Sequence, residues 1–153
     1  MSGRYSRVVY SSTASGRLDL SDLENIEKIS RQNNAANGIT GLLYFDGRKF
    51  VQFLESQDLI ALEQLLDKIG DDDRHHSLKT ITLKASVRRL FPNWSMSVLA
   101  KDVVVEASFL NALDELLFTA ESCDPFRKVD RIQLATRCAL ASWRFARSEY
   151  SKT

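Results

Sequence analysis

Apolar and polar positions repeat along the chain with two periods. Over residues 5–12 they alternate, Val8 and Tyr10 on one face and Val9 on the other, which predicts a strand. SSTASGR reads as a turn. Ser21 then opens S-D-L-E, a capping-box pattern with Glu24 three residues on. Leu20, Leu23, Ile26 and Ile29 or Ser30 follow at helical spacing and predict a helix to about Asn34, stopped by Asn37-Gly38. Residues 38–45 and 49–55 predict two strands, joined at Asp46-Gly47, a strong hairpin signal. A helix over about 58–70 carries Leu59, Leu62, Leu65, Leu66 and Ile69 as its apolar stripe, and DDDRHH reads as a polar turn. Residues 78–87 predict a fourth strand. Residues 93–100 predict a fifth, with Trp94, Met96 and Val98 on one face.

Strand, helix, strand, strand, helix, strand is the order of two split βαβ crossings. It predicts an α+β fold, a ferredoxin-like five-stranded mixed sheet with two helices on one face. Beyond Ala100 the pattern changes to two helical segments. Phe109, Leu113 and Leu116 mark one, and Leu134, Cys138, Ala141 and Phe145 the other. The expected division is a domain over 1–100 and a helical extension over 101–153, packed on the open sheet face or on a partner.

Composition narrows the class. Hydrophobic residues at 44% and charged residues at 27% are those of a soluble globular protein. A net charge of +1 supplies no field toward nucleic acid or anionic membrane. The opening MSGRYSRVVY is too polar for a signal peptide, and no apolar run reaches the ~18 residues of a membrane span, so a cytoplasmic protein is expected. Cys123 and Cys138 fit no metal spacing and read as buried thiols. Adjacent His75 and His76 do not suit chelation of one ion, and Asp71-Asp72-Asp73 lacks calcium-loop spacing, so no metal is expected. Gly38, Gly41 and Gly47 read as cap, strand and turn glycines rather than a phosphate cradle. No nucleophile with an evident base is present.

The remaining chemistry is polar groups on core-facing positions. In NNAANGITGLLYFDGRKFVQFLE, residues 33–55, the third strand places Phe50, Gln52 and Leu54 on one face. An amide buried there without partners costs about 1–3 kcal/mol, so Gln52 needs a hydrogen-bonding partner. The first and third strands are the central pair of the expected sheet, so Tyr10 and Gln52 can be neighbours. They can bond each other, and Asn33 and Asn34 can cap their helix. Together the four can also line a groove suited to a flat heterocycle with a polar edge.

These residues carry a resemblance. VVYSS with its tyrosine, NNAANGITGLLYF, FVQFLE with its glutamine, DDDRHH, and RRLFPNWSM with its tryptophan and methionine occur in order over about residues 4–98. In them the chain resembles a BLUF domain, the blue-light sensor using flavin, and its tail is similar to that of the short stand-alone members. The resemblance implies a photoreceptor rather than an enzyme, with non-covalent flavin, FAD by family habit and FMN as the alternative. It implies that Tyr10 donates an electron and a proton to the excited flavin, and that Gln52 bridges Tyr10 and the flavin's reactive edge. Asn33 and Asn34 would bond the carbonyl and imide edge, and Ser30 would touch the ring. Asp72, Arg74 and His75 would approach the polar side chain, with Lys68 where members often carry a basic residue. Trp94 and Met96 match the fifth-strand pair near Gln52. Ser56 departs from the pattern, where a glycine usually follows the glutamate. The implied output is a change in a homo-oligomer or in contact with a downstream signalling protein, through the fifth strand and the C-terminal helices.

Three other readings use the same topology. A ferredoxin-like regulatory module would bind a colourless metabolite without needing the Tyr10–Gln52 pair. An acylphosphatase-like enzyme would need an arginine in a glycine-rich loop after the first strand, where Arg17 is a poor match. RNA binding through the sheet would need surface aromatics and basic charge.

Overall fold

A computed structural model describes residues 3–89, 96–101 and 107–121. The strands are β1 (Tyr5–Ala14), β2 (Thr40–Phe45), β3 (Lys49–Ser56), β4 (His75–Ser86) and β5 (Ser97–Ala100); the helices are α1 (Leu20–Ala36), α2 (Leu59–Gly70) and α3 (Ala107–Glu121). They form one five-stranded sheet of order β4-β1-β3-β2-β5. Neighbours are antiparallel except β2 and β5, which run parallel. This is the ferredoxin-like arrangement with an added edge strand.

Period-2 alternation divides the core in two. Val8, Tyr10, Leu43, Phe45, Phe50 and Leu54 face one side, where Leu23 of α1 and Leu62 of α2 cover them. Val9, Leu42, Tyr44, Val51 and Phe53 face the other, where Leu113, Leu116, Leu117 and Ala120 of α3 cover them. Two polar contacts fasten α3 there. Tyr44 donates its hydroxyl to Asp114 Oδ1 at 2.7 Å, and Lys49 Nζ meets Glu121 Oε2 at 2.7 Å. The predicted second tail helix, with Cys123 and Cys138, lies outside the described residues, as does Trp94.

Several boundaries differ from the sequence reading. The α1 cap is Asp19, not Ser21. Asp19 Oδ1 accepts Asp22 N at 2.8 Å, and Asp22 Oδ2 accepts Asp19 N at 2.9 Å. A carboxylate pair thus completes the capping box two residues earlier, and Ser21 falls inside the first turn. Leu20 and Ile29 are exposed, so the inward stripe is Leu23, Ile26, Ser30 and Asn34. Leu59 is also exposed, because Asp58 caps α2 and places Leu59 in its first, outward position. α1 runs to Ala36, with Gly38 in the left-handed conformation that spares a side chain the strain.

β4 begins at His75 rather than residue 78 because a bulge extends the ladder. Ser11 pairs with Lys79 but Thr13 pairs with His76, so three steps on β4 answer two on β1. Ser77 carries the extra residue's strain at φ +59°. At the other end of the sheet Gly41 permits close pairing: a Cβ there would stand 1.9 Å from the Phe53 carbonyl oxygen.

Candidate functional site

A cavity opens between α1, α2 and the sheet. Counted out to the open solvent at its mouth, its empty space is about 570 Å³. Ile26, Leu43, Phe50, Leu65 and Ile69 form its apolar walls. Tyr10, Ser30, Asn34, Gln52, Asp72, Arg74 and His75 supply its polar groups. Seven of the residues singled out from the sequence therefore share one space. Asn33 and Lys68 do not line it; both are exposed, and the Asn33 carbonyl accepts Asn37 Nδ2 at 2.8 Å. Met96 is fully buried beside Gln52.

The central strands set up the polar wall. Tyr10 and Gln52 are directly opposed across β1 and β3, and opposed residues in a ladder share a face. No hydrogen bond joins them, and the Tyr10 hydroxyl has no hydrogen-bond partner among the described residues. Gln52 Nε2 donates to Met96 Sδ at 3.3 Å, a weak acceptor for a buried amide. Asn34 sits at the end of α1, where its carbonyl accepts Ile39 N at 2.9 Å and Asn37 N at 3.1 Å. These bonds hold its buried side chain at the cavity wall.

Electrostatics favour a neutral phenol. Burial raises the Tyr10 pKa well above the ordinary tyrosine value; Asp72 adds to the rise and Arg74 opposes it. Asp72 and Arg74 pair at the mouth: Arg74 Nε lies 2.9 Å from Asp72 Oδ1, and Arg74 Nη2 donates to Oδ2. The hydrogen bonds from Arg74 hold the Asp72 carboxyl below its usual value, and the same contact raises Arg74.

His75 owes its place to the β4 bulge. Antiparallel partners share a face, and without the extra residue Ala14 would oppose His76 instead of His75. The bulge thus decides which of two adjacent histidines meets the cavity. His75 Nε2 donates to the Ile69 carbonyl at 2.6 Å, which places a proton on that nitrogen. Its Nδ1 lies 2.7 Å from Ser12 Oγ. The sequence reading missed Ser12 as a support, though it lies two residues beyond Tyr10 and so on the same strand face. His76 is exposed, with Nδ1 2.9 Å from Ser77 Oγ.

The wall fits a flavin. A flat ring with hydrogen-bonding atoms on one edge matches apolar faces from Ile26, Leu43, Phe50 and Leu65 and an edge of Tyr10, Gln52 and Asn34. The unbonded Tyr10 hydroxyl and the poorly bonded Gln52 amide are the groups such an edge would satisfy. Among the described residues no group of histidine, cysteine, aspartate or glutamate side chains could hold a metal ion, and no helix is long and apolar enough to cross a membrane.

Comparison with known proteins agrees with this geometry. The family model for BLUF, "Sensors of blue-light using FAD", matches residues 5–97. BlrB, a BLUF protein solved in its dark state, is 26% identical with a TM-score of 0.67, over 93% of this chain and 99% of its own. BlsA in its photo-activated state is 26% identical with a TM-score of 0.67, over 89% of this chain and 94% of its own. A bacterial light-regulated adenylyl cyclase is 34% identical with a TM-score of 0.63, over 75% of this chain. The match spans only 33% of that cyclase's length. Comparison with curated proteins gave no match. The chain belongs to the BLUF family of flavin-based blue-light sensors.

Proposed function

We propose that Tyr10 and Gln52 are the photoactive pair of this blue-light sensor, and that its flavin is FAD. The observation that carries this reading is their opposition on the cavity wall without a bond between them. When bound, the flavin supplies blue absorption and, once excited, a far stronger oxidant than in its ground state. Tyr10 is the oxidisable ring on that wall, and burial keeps its phenol protonated, so it has both an electron and a proton to give. Gln52 presents a donor and an acceptor on one amide and exchanges them by turning about its last side-chain bond. That turn takes Nε2 away from the Met96 sulfur, a weak acceptor and so a contact of low cost to lose. The new amide orientation is the stored signal, with no covalent bond made and no net redox change.

Ser30 and Asn34 would hold the ring from α1, while Asp72, Arg74 and His75 would meet the phosphate-bearing side chain at the mouth. Asn33 and Lys68 would touch the cofactor only at its periphery. The family description supports FAD over FMN, although BlrP1 of Klebsiella pneumoniae, 29% identical over 65% of this chain, was solved with FMN.

The proposed output route runs from Gln52 through Met96 and β5, with Trp94, to the extension over residues 101–153. There it alters a homo-oligomer or a contact with a downstream signalling protein in the cytoplasm. The coverage of one third of the light-regulated cyclase supports a sensing rather than a catalytic role for the segment they share.

The test is reconstitution. Protein stripped of flavin and offered FAD or FMN in turn should bind FAD more tightly and then show a small, reversible red shift after blue light. Bleaching instead of a shift would mean ordinary photoreduction, and a chain that stays colourless would favour the metabolite-binding module.

A further inference from the structure

Met96 touches two elements at once. Its sulfur accepts Gln52 Nε2, and its carbonyl oxygen accepts Arg31 Nε at 2.8 Å. Two residues on, Val98 N donates to Glu27 Oε2 at 3.1 Å. Glu27 Oε1 and Arg31 Nη2 close the ring at 2.8 Å. The Met96 carbonyl and the Val98 amide project from the same edge of their strand, as groups two residues apart do. β5 ends the sheet, so among the described residues that edge has no neighbouring strand. Such an edge ordinarily leaves donors and acceptors to water. Here one acidic and one basic side chain of α1 take one donor and one acceptor.

The placement on α1 matters. Glu27 and Arg31 are one turn apart, on the stripe beside Ser30 and Asn34, which line the cavity. One helix therefore contributes to the cavity wall on one stripe and grips β5 with the next.

We propose that Glu27 and Arg31 form a register lock on β5. This rests on the reading of Gln52 and Met96 above. By holding the Val98 donor and the Met96 acceptor together, the pair keeps the Met96 sulfur against the Gln52 amide. A slide of one residue would turn the opposite face of the strand inward and present the helix with neither held group. The roles are positional: both residues act through Met96 and neither touches the cavity. When Gln52 turns away from the sulfur in the light, the lock resists the displacement of β5 that the output route requires, so it also sets how fast the dark arrangement returns.

The test compares Glu27→Ala, Glu27→Gln and the unaltered protein by amide hydrogen exchange in the flavin-free state and by thermal recovery after blue light in the FAD-loaded state. Glu27→Gln keeps an acceptor for Val98 N but loses the charge pair, so it separates the two bonds. The lock predicts that Glu27→Ala speeds exchange at Val98 by about three- to tenfold, leaves Leu43 and Phe53 protected, and changes the recovery rate severalfold with the red shift retained. Glu27→Gln should fall between the two. In a Met96→Ala background the Glu27→Ala effect on recovery should vanish, which a merely structural role would not produce. Unchanged exchange at Val98 overturns the lock. Faster exchange with unchanged recovery overturns its link to Gln52. An unaltered protein with no light response would overturn the functional reading, while the exchange arm would still decide whether the lock exists.

Discussion

Tyr10 and Gln52 face each other across the two central strands, yet the Gln52 amide donates to the Met96 sulfur and not to the tyrosine. A buried phenol and a buried amide side by side would ordinarily satisfy one another. Here both are directed to a shared cavity, and the amide rests on a thioether sulfur, a weak acceptor. That arrangement suits a switch, because turning the amide breaks little.

The protonation of Tyr10 is open to direct measurement. Burial raises its pKa, so the folded state favours the neutral phenol, and the associated stability is complete below about pH 10, where an unfolded tyrosine begins to ionise. It is lost as the pH rises beyond that value. An alkaline titration followed by tyrosinate absorbance should show Tyr10 ionising late and together with unfolding. Tyr10→Phe should remove that late step. A Tyr10 that titrates at the ordinary tyrosine value would contradict the burial argument.

The β4 bulge predicts a contrast at Ser77. A non-glycine residue in the left-handed region costs about 1–2 kcal/mol. Ser77→Gly should therefore raise stability, by up to about 1 kcal/mol once the unfolded-state entropy of glycine is set against it, and leave flavin affinity intact. Ser77→Val should lower stability and weaken flavin binding, because restoring regular pairing would turn His75 out of the cavity and His76 in. Melting curves and flavin titration check both. Equal flavin affinity in a folded Ser77→Val protein would separate His75 from binding.

Much of this arrangement was legible in the chain. The period-2 pattern of β1 and β3 put Tyr10 and Gln52 on one face, and Asp46-Gly47 located the hairpin. What escaped detection depends on contacts that periodicity does not encode. Asp19 and Ser21 are both good caps by type, and only the reciprocal bonds with Asp22 favour the first. The β4 bulge has no glycine to announce it, so nothing in DDDRHHS distinguishes His75 from His76. Asn33 and Asn34 are alike in composition, but the helical phase buries only Asn34. Glu27 and Arg31 stand one helical turn apart, and only the placement of β5 beside them reveals what they hold.

Met96 separates colour change from output. Met96→Ala removes a fully buried side chain and should cost about 2–5 kcal/mol of stability. The red shift should persist, since Tyr10 and Gln52 remain. Any light-dependent change in assembly, followed by size-exclusion chromatography under dark and blue-lit conditions, should weaken. An unchanged assembly response would exclude Met96 from the output route.

The light-minus-dark absorption spectrum of the FAD-loaded protein, measured beside that of Gln52→Leu, decides whether the Gln52 amide is the switch. A switch at Gln52 gives a small red shift that reverses in the dark, and a Gln52→Leu protein that still binds flavin but shows no shift. A Gln52→Leu protein that shifts and recovers like the unaltered chain would contradict it, because the signal would then be stored somewhere other than the Gln52 amide.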